Sequence, residues 1–301
     1  MFVYSHSSKM APCLQLEVFG LQSKPAFYMA KCAAEVLKLR YPDVLAEPVI
    51  CPLSEFAWIE FLTEKQKKMK GDVWGFSSKV MCFINDTLIG DEKEFLKWAE
   101  EEFDYQDFRP NALFEALADD FNFKFLTKNK DCLVYMDISI DAMPIGRFIF
   151  ELFTDLCPIT CKNFRALCTG DPALMPDGLQ LCYKGTVFHR RVKNGWIQGG
   201  DIPTSRGDGG ESIFGPTFQD ENYAVSHWKR GIIGMANKGR HTNGSQFYII
   251  LQPNTWMDTK YVAFGQLIEG TKVLEQLEDV DTNNERPVLE CKITDCGLVT
   301  P

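Results

Sequence analysis

The sequence predicts two domains, an α/β unit followed by a closed antiparallel β-barrel with a helix at each end. Three observations carry this reading. Residues 14–125 alternate between strand-like and helix-like segments. From Leu133 onward the chain changes to short alternating strands, with turn signals at close intervals and only two helical stretches. Between the two patterns, Thr127-Lys128-Asn129-Lys130-Asp131 is polar and reads as a linker. The domains are therefore placed at 12–126 and 133–301, with the linker at 127–132. A chain of 301 residues accommodates about two such units.

In the first half, Leu14 to Leu21 alternates apolar and polar residues like a short strand. The alanine-rich stretch from Pro25 predicts a helix, with the proline in its first turn. Val49-Ile50-Cys51 predicts a strand and Trp58 to Lys70 a second helix. Val80 to Ile84, Asn85-Asp86 and Leu88 to Gly90 then read as strand, turn and strand, and Glu92 to Phe103 as an acidic helix. Ala112 to Phe125 is amphipathic. In the second half, Val134 to Ile140 and Gly146 to Phe153 flank a hairpin-like connection, Asp141-Ala142-Met143-Pro144-Ile145. Helices are predicted after Pro158 and after Gly270-Thr271.

Composition narrows the function. A net charge of −9 argues against a non-specific grip on nucleic acid or anionic lipid. The basic run Lys65-Gln66-Lys67-Lys68-Met69-Lys70 follows acidic residues and reads as a solvated helix end rather than such a patch. The first ten residues carry no secretory signal, and no stretch approaches the ~20 apolar residues that cross a bilayer. Eleven cysteines without a CxxC pair suit reduced thiols in a cytoplasmic protein better than a disulfide framework. Cys157 and Cys161, four apart, read as core packing, because a metal site lacks two further ligands nearby. No cofactor is expected. Asn85-Asp86-Thr87 and Asn243-Gly244-Ser245 match the glycosylation pattern but read as turns.

The order β-α-β-α-β-β-α, with Phe83-Ile84-Asn85-Asp86 and Leu88-Ile89-Gly90 near its end, resembles a glutaredoxin or thioredoxin-like domain. The redox chemistry of that family is missing. Gln22-Ser23-Lys24-Pro25-Ala26 stands where a cysteine would sit at a helix amino terminus, and Ser77-Ser78-Lys79-Val80 where a cis-proline would. The resemblance then implies a redox-dead module for packing or for binding another protein.

A second set of motifs runs in order through the other half. It begins with Gly146-Arg147-x-x-Phe150-Glu151-Leu152-Phe153 and Asn163-Phe164-Arg165-Ala166-Leu167-x-Thr169-Gly170. Tyr183-Lys184-Gly185-x-x-Phe188-His189-Arg190 and Gln198-Gly199-Gly200-Asp201 follow. Then come Phe218-x-Asp220-Glu221-Asn222, Gly234-Met235-Ala236-Asn237, Thr242-Asn243-Gly244-Ser245-Gln246-Phe247 and Val262-x-Phe264-Gly265. Together they resemble the cyclophilin-type peptidyl-prolyl cis-trans isomerases from about Leu133 to Val299. That resemblance implies an eight-stranded antiparallel barrel with two capping helices and a groove for proline-containing peptides or proteins. It also implies cyclosporin-type ligands, here with reduced affinity.

The chemistry such a site must supply is modest. Rotating an X–Pro bond breaks amide resonance, a barrier of about 18–20 kcal/mol. The twisted prolyl nitrogen gains a lone pair, so a hydrogen-bond donor near it and an apolar pocket for the ring favour the twisted state by differential binding. The resemblance assigns the donor to Arg190, its supports to Gln198 and Gln246, backbone pairing to Ala236 and Asn237, and the pocket rim to Trp256. Arg190 at a strand end also fits a plain surface charge. The pocket itself departs from the family. Gly195 and Trp196 stand for Phe and Met, Tyr248 for Phe, Met257 for Leu and Tyr261 for His. Losing a ring at Gly195 could remove ~3–5 kcal/mol of contact, while Trp196 either refills the space or plugs it. Hydroxyls on Tyr248 and Tyr261 are expected on a surface that should be dry. The sequence thus points to a proline-peptide-binding member of the isomerase family with weak or absent activity. The alternative is a competent isomerase in which Trp196 fills the pocket. A thiol oxidoreductase is disfavoured, because no cysteine is placed for it.

Overall fold

The computed structural model of the chain describes residues 13–171, 181–202 and 204–300. It divides into two compact units, residues 1–124 and 125–301.

The first unit contains β1 (Leu16–Leu21), α1 (Pro25–Arg40), β2 (Val49–Leu53), α2 (Glu55–Met69), β3 (Val80–Ile84), β4 (Thr87–Gly90) and α3 (Glu92–Phe103), and then most of α4 (Asn111–Asn129). Its sheet runs β2-β1-β3-β4, with β1 parallel to β2 and antiparallel to β3. Alternation along β1 and β3 sends side chains to both faces. Leu16, Val18, Val80 and Cys82 join Ala30, Ala33, Ala34 and Leu37 of α1 and Phe95 of α3 in one buried cluster. Leu21, Met81 and Phe83 join Trp58 of α2 in another. Helix α3 begins with a capping box, in which the Asp91 carboxylate accepts from Lys93 and Glu94 and the Glu94 side chain accepts from the Asp91 amide.

Helix α4 departs from the sequence reading. The polar stretch expected as a linker is helical as far as Asn129. Phe125 and Leu126, just ahead of it, belong to the second unit and pack on its Leu133, Ile268 and Val299. The amphipathic pattern is a helix that carries on past its own domain's core, which a change in local composition does not reveal.

The second unit is built on an antiparallel eight-stranded sheet. Its strands are β5 (Leu133–Ile140), β6 (Met143–Leu152), β7 (Arg190–Val192), β8 (Trp196–Gly199), β9 (Ile232–Met235), β10 (Phe247–Ile250), β11 (Ala263–Glu269) and β14 (Cys291–Leu298). They run in the order β14-β5-β6-β11-β9-β10-β8-β7. The two ends of this order meet, because the segment leading into β7 bonds to β14. Gly185 donates to Ile293 at 2.7 Å, Ile293 to Thr186 at 2.9 Å and Phe188 to Cys291 at 2.8 Å. Helices α5 (Pro158–Thr169) and α6 (Thr271–Asp279) accompany the sheet, with a small hairpin of β12 (Thr282–Asn283) and β13 (Arg286–Pro287). Phe164 of α5 gathers the rings of Phe150, Tyr183, Phe247 and Phe264 at centroid distances of 5.0–6.1 Å. Several motif residues are structural ties. The Glu221 carboxylate caps the α5 amides of Ile159 and Thr160, each at 2.9 Å. Asn163 joins Gly244 to Ile213, with both bonds at 3.0 Å.

The packing of Phe125 and Leu126 has a measurable consequence. A fragment starting at residue 125 should resist urea better than one starting at residue 133, by about 1–3 kcal/mol for two partly buried apolar side chains. Equal stability of the two fragments would show that the end of α4 contributes nothing to the second core.

Candidate functional site

Strand pairing sets the residues of the site in a row. Arg190 of β7 lies opposite Gln198 of β8, Gln198 opposite Tyr248 of β10, and Tyr248 opposite Gly234 of β9. Directly paired residues share a face of a sheet, and positions two apart return to it. Trp196 therefore stands beside Gln198, and the structure brings both together with Tyr248, Met257, Tyr261 and Ala236.

The residues expected to line the proline pocket pack into one cluster. Tyr248 and Met257 are each only 1 % exposed and form a buried cluster with Ile232, Ile250 and Ala263. Trp196, Ala236 and Tyr261 pack over it. The Tyr261 ring meets Tyr248 edge-on at 5.9 Å, and Trp196 lies 6.0 Å from the half-exposed Trp256. Trp196 therefore packs against the pocket residues and toward Trp256.

The expectation for Tyr248 needs correction. Its hydroxyl does not wet the pocket. It turns inward and bonds to Nε2 of the buried His227 at 2.6 Å, and Nδ1 of His227 is 2.7 Å from the Asp258 carboxylate. Ser226 and the His227 amide complete the shell of Asp258 at 2.6 and 2.8 Å. With Asp258 accepting from Nδ1–H, Nε2 is free to accept the phenol proton. Burial pushes the Tyr248 phenol well above its usual range, and burial lowers His227 despite the opposing pull of Asp258. Burial would raise Asp258, but the hydrogen bonds from Ser226 and His227 outweigh it and hold the carboxyl low. Gly234 completes the arrangement, since a Cβ there would overlap the Tyr248 hydroxyl. Sequence reasoning missed His227, Asp258 and Gly234. The available signal was the extra hydroxyl of Tyr248, which needs a buried partner.

Gly195 also differs from expectation. It lies in the turn between β7 and β8, where its amide donates to Val192 and its carbonyl accepts from Leu251 and from the Asn254 side chain. A Cβ on Gly195 would meet the Val192 side chain at 3.0 Å, so a phenylalanine here starts by pressing on β7.

The polar machinery is rearranged as well. Gln198 and Gln246 are present, but they do not hold Arg190. The Trp196 indole donates to Oε1 of Gln198 at 3.2 Å, and Gln198 donates to Gln246 at 2.8 Å. Gln246 in turn donates to the carbonyl of Gly209 at 2.7 Å. Nε of Arg190 instead donates to Glu285 at 2.7 Å, with the guanidinium 5.4 Å from the centre of the Trp196 ring. Both partners of this ion pair are about half exposed, so it holds Arg190 only modestly. Ala236 gives its amide to the Gln246 carbonyl at 3.0 Å, and the Asn237 side chain donates to the Lys260 carbonyl at 3.0 Å. Two cavities lie along these polar residues. One, of about 560 Å³, is lined by Gln198, Ala236, Asn237 and Gln246, and the other, of about 390 Å³, by Arg190 and Gln198.

A barrel of this strand order, with Arg190, Gln198 and Gln246 grouped on one face, defines a class. The model of the cyclophilin type peptidyl-prolyl cis-trans isomerase/CLD family matches residues 135–298, and the chain belongs to that family. It is 56 % identical over 284 residues to a bovine protein named "Probable inactive peptidyl-prolyl cis-trans isomerase-like 6", with 94 % of this chain and 92 % of the relative covered. A human protein of the same name is 55 % identical over 284 residues, covering 94 % and 91 %. These relatives extend the likeness through the first unit. The murine NK-tumor recognition protein is 47 % identical over 167 residues, which is 55 % of this chain and 12 % of that protein.

Two measurements test the buried chain of bonds. Tyr248→Phe should cost about 1–3 kcal/mol, because it strands a buried ring nitrogen of His227. Gly234→Ala should destabilise the wild type by forcing the phenol aside, yet cost much less in a Tyr248→Phe background. Additive effects in that cycle would disprove the contact. The second measurement concerns pH. His227 and His189 both have pKa values lowered by burial from 6.5. The unfolded chain therefore takes up protons first as pH falls, so stability is fully present above about pH 6.5 and declines below it. Melting curves between pH 7.5 and 5.5 should show the decline, reduced in His227→Gln.

Proposed function

We propose that the protein is a proline-peptide-binding cyclophilin with weak or absent isomerase activity. The single observation that carries the reading is the packing of Trp196 and Tyr261 against the pocket residues. Met257 and Tyr248 are buried under Trp196 and Tyr261, so a proline ring finds little open apolar space. The position of Arg190 supports it. A donor whose Nε is ion-paired to Glu285 has its guanidinium drawn toward the hairpin, which weakens its hold on a prolyl nitrogen. The word "inactive" in the names of the similar bovine and human proteins supports the same reading.

On this reading Trp256, Trp196 and Tyr261 present aromatic surface to a peptide, and Ala236, Asn237, Gln198 and Gln246 line its path. Cyclosporin-type ligands, which need the same pocket, bind with reduced affinity. The first unit acts as a thioredoxin-like module without redox chemistry, available to bind another protein. Its β-α-β-α-β-β-α order and its lack of a cysteine at the start of α1 support that assignment. Eleven free thiols support a cytoplasmic location. Among the described residues, no helix is long and apolar enough to cross a membrane.

One observation favours the second reading, a competent isomerase. Trp196 is only partly buried and lies beside Arg190, so its indole face could receive a proline ring in place of the missing phenylalanine. A protease-coupled proline-peptide assay on the full chain separates the two. We expect turnover close to the uncatalysed rate in wild type. Trp196→Met with Glu285→Gly, which frees both Gln198 and Arg190, should raise it by about tenfold or more, a gain of ~1.4 kcal/mol. High wild-type activity that collapses in Arg190→Ala would establish the second reading instead.

A further inference from the structure

The cavity of about 390 Å³ beside Arg190 has an unusual charge for this protein. The chain carries a net charge of −9, yet Arg190, Arg206 and Arg286 line this one cavity together with His189, Asn283 and Asn284. All three arginines are exposed at its wall. Arg206 and Arg286 make no side-chain ion pair among the described residues. Nearby acidic groups offset part of this charge. Asp201 is buried, and its Oδ2 accepts from the amides of Arg206 and Gly207 and from the Thr204 hydroxyl, bonds that hold the carboxyl low and charged against its burial. Asp208, two residues from Arg206, shares the Thr204 hydroxyl, and Glu285 is bound to Arg190.

The way Glu285 is held marks the site further. Asn284 and Glu285 have φ of 48° and 65° and form the two-residue turn between β12 and β13. Both central positions of such a turn need positive φ, and glycine is favoured at the second. A glutamate there costs about 1 kcal/mol or more in backbone strain. That strained residue puts the chain's own carboxylate on the cavity's arginine.

We propose that this cavity is an anion subsite for a phosphate monoester carried on a side chain of the bound peptide, with Glu285 as its internal competitor. Guanidinium forks match phosphate oxygens in geometry and charge. A phosphorylated side chain brings about −1.5 to −2 charge and three acceptor oxygens, more than a single carboxylate offers against three arginines. The subsite rests on the peptide-binding reading, which it deepens by naming the class of peptide.

Calorimetric titration of the full chain tests it with four ligands: a serine-proline peptide, the same peptide with phosphoserine before the proline, the same with phosphoserine after it, and inorganic phosphate. At least one phosphopeptide should bind about tenfold or more tighter than the serine form, as expected for charge-assisted contacts. Arg206→Gln with Arg286→Gln should abolish that gain and leave the serine peptide unchanged, and Glu285→Gln should enlarge it. If the serine peptide binds and neither phosphopeptide binds tighter, the subsite is wrong and the peptide reading survives. If no peptide binds but phosphate does, in an Arg206- and Arg286-dependent way, the anion site stands and the peptide reading falls. Phosphate or phosphopeptide binding that survives the double replacement overturns the assignment of the site.

Discussion

A phenol hydroxyl buried within a sheet must find a hydrogen-bond partner, and that requirement organises this face of the barrel. Tyr248 is buried to 1 % exposure, so a free hydroxyl there would carry most of its desolvation penalty. His227 and Asp258 remove the penalty by relaying the bond to a partly exposed carboxylate. Gly234 gives the phenol room. Once the ring is fixed in this way, it fills the floor of the groove, and Tyr261 and Trp196 settle over it.

The polar changes follow from the same packing. The amide oxygen of Gln198 accepts from the Trp196 indole, and the amide nitrogen is used on Gln246. Gln198 is thereby committed to its neighbours, and Arg190 finds its anion on the β12–β13 hairpin. Aromatic filling and loss of the arginine support are one coupled change. Replacing a single pocket residue would therefore recover little by itself.

Much of this was legible from residues. The strand and helix order of the first unit, and the opening hairpin and two helices of the second, follow from local pattern, because Leu14 to Leu21, Gly146 to Phe153 and the helix after Pro25 each carry a clean one. The family followed from ordered motifs, several of which turn out to be ties such as Glu221 on α5. What stayed hidden was the direction of side chains. A tyrosine in place of a phenylalanine says that a hydroxyl has been added, but not whether it faces the groove or the core. That depends on His227 and Gly234, 21 and 14 positions away in the chain. Likewise, the presence of Arg190, Gln198 and Gln246 was readable, whereas their bonding was set by Glu285, 95 residues after Arg190. The extent of α4 was also obscured, because the polar composition of its last turn masks the anchoring of Phe125 and Leu126.

The hairpin does one thing more. β7 has three residues and ends the order of the sheet, with only β8 bonded along its length as a strand partner. An unpaired strand border invites another chain to add to it. Glu285 meets that border twice, its carbonyl accepting the Arg191 amide at 2.6 Å and its carboxylate the Arg190 side chain. The turn thus covers part of the outer border of β7 and leaves fewer free backbone groups there for another strand to pair with.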